Sequence, residues 1–107
     1  MKTDRYGYSP SIMQQDMSCC YLCGRRDRKL DRHEPFGGAY RDKSKRLGLW
    51  VLLCHEECHE GRNGAHGDPA VNRSLRRDAQ VWAMFKFGWS TSDFIREFGK
   101  NYKETED

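Results

Sequence analysis

Two pairs of closely spaced cysteines constrain the fold of this chain more than any other feature of its sequence. Cys20 and Cys23 are separated by two residues, and Cys54 and Cys58 are separated by three. Two such pairs in one short chain are typical of a tetrahedral Zn²⁺ site, because that ion takes its ligands from two turns. We therefore predict one structural zinc held by these four cysteines.

The sequence leaves other choices of zinc ligands open. Cys19 could take the place of Cys20, although the commoner spacing of two residues favours Cys20. His55 or His59 could replace Cys58 and give a site with three cysteines and one histidine. The four-cysteine site is the main prediction.

The composition explains why such a chain would need a metal crosslink. Its 107 residues suit one domain, but only 36% are hydrophobic and 33% are charged, so the core must be thin. The first residues do not resemble a signal peptide, and no stretch is long enough to span a membrane. We therefore expect a cytoplasmic protein, because a reducing compartment favours zinc over disulfides. The net charge of +3 permits a nucleic-acid partner without requiring one.

Local patterns divide the chain into an arm, one α+β domain and a tail. Residues 1–16 are polar and lack a clear period, which predicts a flexible N-terminal arm. Residues 17–102 contain both cysteine pairs and form the single predicted domain, and residues 103–107 form a polar tail. Within the domain, strands are predicted over 30–36 and 49–53. The second strand leads directly into the second cysteine pair, and its Trp50 is expected to pack under the zinc site.

Two helices are predicted after the strands. The Asp68-Pro69 pair suits the start of a helix over 69–87, which Gly88 would end. A capping-box pattern from Ser90 to Asp93 predicts a short helix over 93–98. The helical residues expected to face the core are Val71, Leu75, Ala79, Trp82, Met84, Phe85, Phe94, Ile95 and Phe98.

Three histidines lie near the cysteine pairs, although a structural zinc with four cysteines needs none of them. His33 falls on the first predicted strand, His59 follows the last cysteine, and His66 lies in a glycine-rich loop. The order of strand, strand and helix would bring them close together. Taken singly, each could instead be a bystander: His33 beside the zinc, His59 in packing and His66 at the surface.

Two basic stretches flank the His33 strand. Either stretch alone is most simply a solvated surface, but two of them around one histidine predict a surface that faces phosphates. The residues expected to contact nucleic acid are Arg25, Arg26, Arg28, Lys29, Arg41, Lys43, Lys45 and Arg46.

Several short motifs together resemble the HNH, or ββα-metal (His-Me finger), nuclease superfamily. The resemblance covers about residues 20–66, and residues 90–102 also resemble the end of small phage and prophage proteins of this type. The motifs that carry it are Cys20-x2-Cys23, Asp31-Arg32-His33-Glu34, the strand end Leu52-Leu53-Cys54, Cys58-His59 and His66.

The resemblance implies a small zinc-stabilised ββα-metal domain with C-terminal helices, encoded by a phage or prophage. It also implies a metal-dependent endonuclease that hydrolyses phosphodiester bonds of double-stranded DNA. His33 would be the general base. A catalytic Mg²⁺ or Mn²⁺ would be held by His59 and His66, with a carboxylate added by Asp31 or Glu34.

The sequence also departs from the family pattern. If the alignment shifts by one residue, His33 becomes a metal ligand and Glu34 takes the position of the base. No asparagine precedes the second strand, and the Cys54–Cys58 spacing is one residue longer than usual. Two alternative functions follow, a non-catalytic zinc-ribbon module that binds nucleic acid and a zinc finger that binds protein. Neither the oligomeric state nor the preferred DNA sequence is indicated.

Overall fold

A computed structural model gives the fold of the protein and describes residues 3–103. Of the predicted tail over 103–107, only Lys103 falls within the described residues. The fold is small and α+β, as predicted, with a two-stranded antiparallel sheet and helices. Its elements are β1 (Leu30–His33), α1 (Arg41–Arg46), β2 (Val51–Cys54), α2 (Pro69–Phe87) and α3 (Thr91–Phe98). A 3-10 turn (Gly38–Tyr40) precedes α1, and a single π-helical turn (His55–His59) follows β2.

The sheet fixes where the first cysteine turn and the strand histidine lie. β1 pairs with β2 so that Leu30 faces Cys54 and His33 faces Val51. On the other edge of β2, the N–H of Tyr21 donates to the carbonyl of Leu52 at 2.7 Å. The segment that carries the first cysteine pair is therefore held beside the strand that leads into the second.

The two predicted helices form where their capping residues indicated. The Asp68 carboxylate accepts a hydrogen bond from the N–H of Ala70, and Gly88 ends α2 in the left-handed conformation. Ser90 and Asp93 form a complete capping box at the start of α3, which begins at Thr91 rather than Asp93. Within residues 3–103, no helix combines the length and apolar character needed to cross a membrane.

The core is assembled on β2, one stripe of α2 and the inner face of α3. Its fully buried residues include Leu49, Val51, Leu53, Leu75, Ala79, Ala83, Phe94 and Phe98. Three residues expected in the core are exposed instead, with Trp82 at 40%, Phe85 at 80% and Ile95 at 39%. The reason is that α2 and α3 each bury only one face, so Trp82 and Phe85 on α2 and Ile95 on α3 lie outside the packed faces.

The N-terminal segment packs on the domain, in contrast to the flexible arm predicted over 1–16. Ser9 is fully buried, and its carbonyl accepts the indole N–H of Trp50 at 2.7 Å. Tyr8 packs edge-on against the same indole, with ring centroids 5.2 Å apart. Trp50 therefore packs under this segment rather than under the cysteine cluster. A buried indole N–H needs an acceptor, and residues far away in the sequence supply it.

Candidate metal centres

The four predicted cysteines meet in one cluster. Their sulfur atoms all lie within 4.8 Å of one another, and none forms a disulfide. The Sγ atoms of Cys23 and Cys54 are 3.8 Å apart. Tetrahedral Zn²⁺ with bonds of about 2.3 Å separates its sulfur ligands by about 3.8 Å, so the cluster has the dimensions of a zinc site.

The first cysteine turn is shaped to point N–H groups at sulfur. Gly24 has a φ of 76°, and its N–H donates to the carbonyl of Cys20 at 2.9 Å. The N–H of Cys23 is 3.5 Å from the Cys20 sulfur. Burial opposes ionisation of Cys20, but the surrounding N–H donors outweigh it and lower the pKa of this thiol to about 7. A thiolate is the form that binds zinc.

The second cysteine turn absorbs its extra residue by widening into a π-helical turn. The N–H of Glu60 donates to the carbonyl of His55 at 2.9 Å, which is the hydrogen bond of a π turn. The N–H of Cys58 then lies 3.4 Å from the Cys54 sulfur, as in the first turn. Burial and the neighbouring thiols raise the pKa of Cys58. Such crowded thiols need a cation before all four can ionise, which fits a metal site.

The alternative zinc ligands lie elsewhere. The Cys19 thiol contacts the carbonyl of Asp16 at 3.7 Å, so the first pair is Cys20 with Cys23. His55 and His59 both direct Nδ1 at the carboxylate of Asp31, at 2.5 Å and 2.8 Å. The four-cysteine set is therefore the one that the fold brings together.

A second cluster contains the three predicted histidines. Ring nitrogens of His33, His59 and His66 all lie within 4.8 Å of one another. The Nε2 atoms of His59 and His66 are 3.1 Å apart. Neighbouring ligands on a divalent ion, with bonds of about 2.1 Å, are about 3.0 Å apart in octahedral geometry and about 3.4 Å apart in tetrahedral geometry. The observed separation falls within this range.

His33 is the most buried member of the histidine cluster. Its side chain lies at the end of β1 and only 4% of the residue is exposed. Within residues 3–103, its Nε2 has no hydrogen-bond partner, which is unusual for a buried polar atom. Burial, with His59, His66 and Arg76 nearby, lowers the pKa of His33 to about 3. The imidazole is therefore neutral at pH 7, the form in which histidine binds metals.

Asp31 lies behind the histidine cluster rather than within it. It is two residues from His33 on β1, so both side chains face the π-helical turn. Its contacts of 2.5 Å and 2.8 Å with His55 and His59 are hydrogen bonds, because ligands on one ion would lie further apart. Burial opposes ionisation of Asp31, but these two contacts lower its pKa. Asp31 therefore orients the His59 ring and leaves Nε2 free for the histidine cluster. With His55 and His59 it also forms a third group whose potential ligand atoms lie within 4.8 Å of one another.

Glu34 shares a cleft of about 290 Å³ with the three histidines. One carboxylate oxygen accepts from the Nε of Arg41 at 3.0 Å, and the other accepts from the Tyr8 hydroxyl. Burial, with the Glu34 carboxylate alongside, raises the pKa of Tyr8 to about 12, so this phenol remains a donor. Tyr8 was not expected at the site, because 26 residues separate it from Glu34 in the sequence.

The predicted nucleic-acid residues are mostly paired with acids. The ion pairs are Arg25–Glu57, Arg26–Asp16, Arg28–Asp27, Arg41–Glu34 and Lys43–Glu97. Within residues 3–103, Lys29, Lys45 and Arg46 have no such pair, and Lys45 lies 4.7 Å from the centre of the Tyr8 ring. The two basic stretches therefore present less free positive charge than their sequences indicate.

Comparisons with models of protein families, with curated proteins and with solved structures find no match for this chain. The chemistry of the chain therefore rests on its own groups of potential metal ligands. Four cysteines could hold a metal such as zinc, and three histidines line a separate cleft nearby.

Proposed function

We propose that this chain is a metal-dependent endonuclease of the HNH type that hydrolyses phosphodiester bonds of double-stranded DNA. One observation supports this proposal above the others. His33, His59 and His66 bring ring nitrogens within one ion's reach, and the buried Nε2 of His33 has no partner within residues 3–103. A structural zinc on the cysteines leaves this second cluster unexplained.

The two clusters would hold different ions. Zn²⁺ suits the four thiolates and stabilises the fold, whereas the three imidazoles would hold the catalytic ion. Imidazole ligands favour transition metals over Mg²⁺, and the three-histidine group contains no carboxylate. Of the two ions predicted from the sequence, Mn²⁺ therefore fits better. A divalent ion in the cleft would neutralise charge on a phosphate and on the leaving oxygen.

Glu34 is the residue that we propose as the proton acceptor. The imidazole of His33 belongs to the ligand cluster, whereas the Glu34 carboxylate lines the same cleft outside that cluster. Tyr8 and Arg41 donate hydrogen bonds to Glu34 and so fix its orientation toward an attacking water. This assignment corresponds to the one-residue shift in the family alignment and replaces His33 as the base.

A plasmid-cleavage assay tests the proposal. Supercoiled plasmid is incubated with the purified protein in Mn²⁺, Mg²⁺, Zn²⁺ or Ca²⁺, and without added metal. We expect nicked or linear products with Mn²⁺, weaker cleavage with Mg²⁺, and none without added metal. The His66→Ala variant should need more Mn²⁺ for the same rate, because one of three ligands is lost while the cysteine cluster is untouched.

A non-catalytic zinc module that binds nucleic acid is the second candidate. The observation that favours it is that both oxygens of Glu34 are already engaged, by Tyr8 and by Arg41. If the protein contains zinc and binds duplex DNA but cuts with none of the four ions, the endonuclease proposal is wrong and this alternative replaces it.

A further inference from the structure

We infer that a basic pocket between α2 and the segment after α3 binds backbone phosphates of the DNA strand whose cleavage is proposed above. The pocket is about 500 Å³ in volume. Residues along its walls include Asn72, Arg73, Arg76, Lys100, Asn101 and Tyr102. None of them was among the nucleic-acid residues expected from the sequence. The inference rests on the proposed function for the identity of the strand.

The charge of the pocket favours an anion. Arg73, Arg76 and Lys100 all line it, and no carboxylate does. These three residues also form no ion pair among the described residues, unlike most of the two predicted basic stretches. Arg76 and Lys100 each lie 5.6 Å from the centre of the Tyr102 ring. Cations gathered in one concave site repel one another, and an anionic ligand relieves that repulsion.

The wall opposite α2 is held in place before any ligand binds. Gln80 of α2 is fully buried, and its Oε1 accepts the N–H of Tyr102 at 2.6 Å. Its Nε2 donates to the side chain of Asn101 at 2.8 Å. The segment carrying Lys100 is therefore fixed against α2, so little ordering is needed when a phosphate binds.

Two hydrogen bonds link residues of the pocket to segments beside the histidine cleft. The Nε of Arg76 donates to the carbonyl of Pro35 at 2.9 Å, two residues after His33. The side-chain amide of Asn72 lies 3.4 Å from the carbonyl of Ala65, next to His66. A strand bound in the cleft would pass close to the pocket, where another of its phosphates could bind. This proximity favours strand backbone over a free nucleotide as the occupant.

The test is the salt dependence of duplex binding, measured by fluorescence anisotropy without added divalent ion. Arg73 and Lys100 are exposed, so the R73Q/K100Q variant should fold. Arg76 is not replaced, because its hydrogen bond to the carbonyl of Pro35 also supports the fold. The control R77Q/K86Q also removes one arginine and one lysine charge, but from exposed positions of α2 outside the pocket. A plot of the logarithm of the binding constant against the logarithm of the salt concentration has a negative slope. We expect R73Q/K100Q to reduce the magnitude of that slope by about 2, and the control to reduce it much less.

Several outcomes separate this inference from the proposed nuclease. Equal slopes for the two double variants, or no duplex binding by wild type, would overturn the inference that the pocket binds backbone phosphates. So would saturable binding of a mononucleotide that R73Q/K100Q abolishes while the duplex slope is unchanged. A wild type that binds with the expected slopes but never cuts would support the pocket and overturn the nuclease alone. The single variants R73Q and K100Q should each reduce the magnitude of the slope by about 1, so a folding defect in the double variant does not prevent the test.

Discussion

At the scale of single residues, Glu34 and His33 are neighbours with different surroundings. His33 is enclosed by two other imidazoles, whereas Glu34 accepts hydrogen bonds from Tyr8 and Arg41. The end of β1 explains the difference, because the strand ends at His33 and Glu34 is the first residue after it, although both line the same cleft. His33 therefore faces the π-helical turn with Asp31, and Glu34 faces the N-terminal segment. This geometry is what favours a ligand role for one and a proton-accepting role for the other.

Replacement of Glu34 by glutamine tests the proton-accepting role. We expect Glu34→Gln to lower the rate of plasmid cleavage in Mn²⁺ by about 10² to 10⁴-fold, the usual contribution of a general base. Zinc content, melting temperature and the Mn²⁺ concentration for half-maximal rate should change little. Glu56→Gln, which alters an exposed glutamate of the π-helical turn, is the matched control. Near-normal cleavage by Glu34→Gln, with complete loss in His33→Ala at every Mn²⁺ concentration, would return the base to His33.

The burial of His33 predicts a pH-dependent stability in the absence of added divalent ion. Its pKa of about 3 in the folded protein is below the ordinary value of 6.5, so acid protonates the unfolded chain first. The stabilising contribution is present above pH 6.5 and is lost as the pH falls toward 3. Between pH 7 and pH 5.5, wild type should therefore lose about 1 kcal/mol more than His33→Asn, measured by urea unfolding. Equal losses in the two proteins would show that His33 is accessible to protons in the folded state.

At the scale of secondary-structure elements, the helices were predictable because their signals are local. Asp68-Pro69 and Gly88 fix both ends of α2, and the Ser90–Asp93 box fixes the start of α3 within a few residues. The proximity of the three histidines was also expected, because the order of strand, strand and helix can be read from local sequence patterns and brings these positions together. Assignment of roles within that cluster was not, since it depends on which side of β1 each residue faces.

Features that depend on distant contacts were not predictable from the sequence. The N-terminal segment looks like an unstructured arm, yet Trp50 binds the carbonyl of Ser9 from 41 residues away. Trp82 and Phe85 follow the apolar period of α2, but nothing within residues 3–103 covers that face. The basic stretches likewise look free in sequence, although acids distant in the chain, such as Glu57 and Glu97, pair with them. Each of these outcomes depends on what packs against the element and not on the element's own pattern.

At the scale of the whole molecule, one π-helical turn serves both candidate centres. Cys54 immediately precedes the turn and Cys58 is its fourth residue, and both belong to the cysteine cluster. His59, the next residue, belongs to the histidine cleft. A metal on the cysteines would therefore hold the Cys20 turn against β2 and also fix the position of His59. Loss of that metal should disturb the fold and the cleft together, whereas an ion in the cleft could dissociate without unfolding.

The final prediction concerns this difference between the two centres. Protein purified without added metal should contain one zinc per chain, held by Cys20, Cys23, Cys54 and Cys58. Removal of the zinc with a strong chelator should unfold the domain, because zinc binding in structural sites contributes on the order of 10 kcal/mol and the core is thin. Elemental analysis and thermal melting with and without the chelator measure both expectations.

Two matched variants make this test specific to the cysteine cluster. Cys54→Ser should lose zinc and cooperative melting, whereas Cys19→Ser should retain both, because the Cys19 thiol lies by the Asp16 carbonyl and outside the four-cysteine cluster. His66→Ala should also retain one zinc per chain, since its ring belongs to the other cluster. A chain that contains no zinc yet melts cooperatively, unaffected by the chelator, would contradict the prediction. In that case the four thiols would be packed by the fold itself, and the thin core would have to be stable without a crosslink.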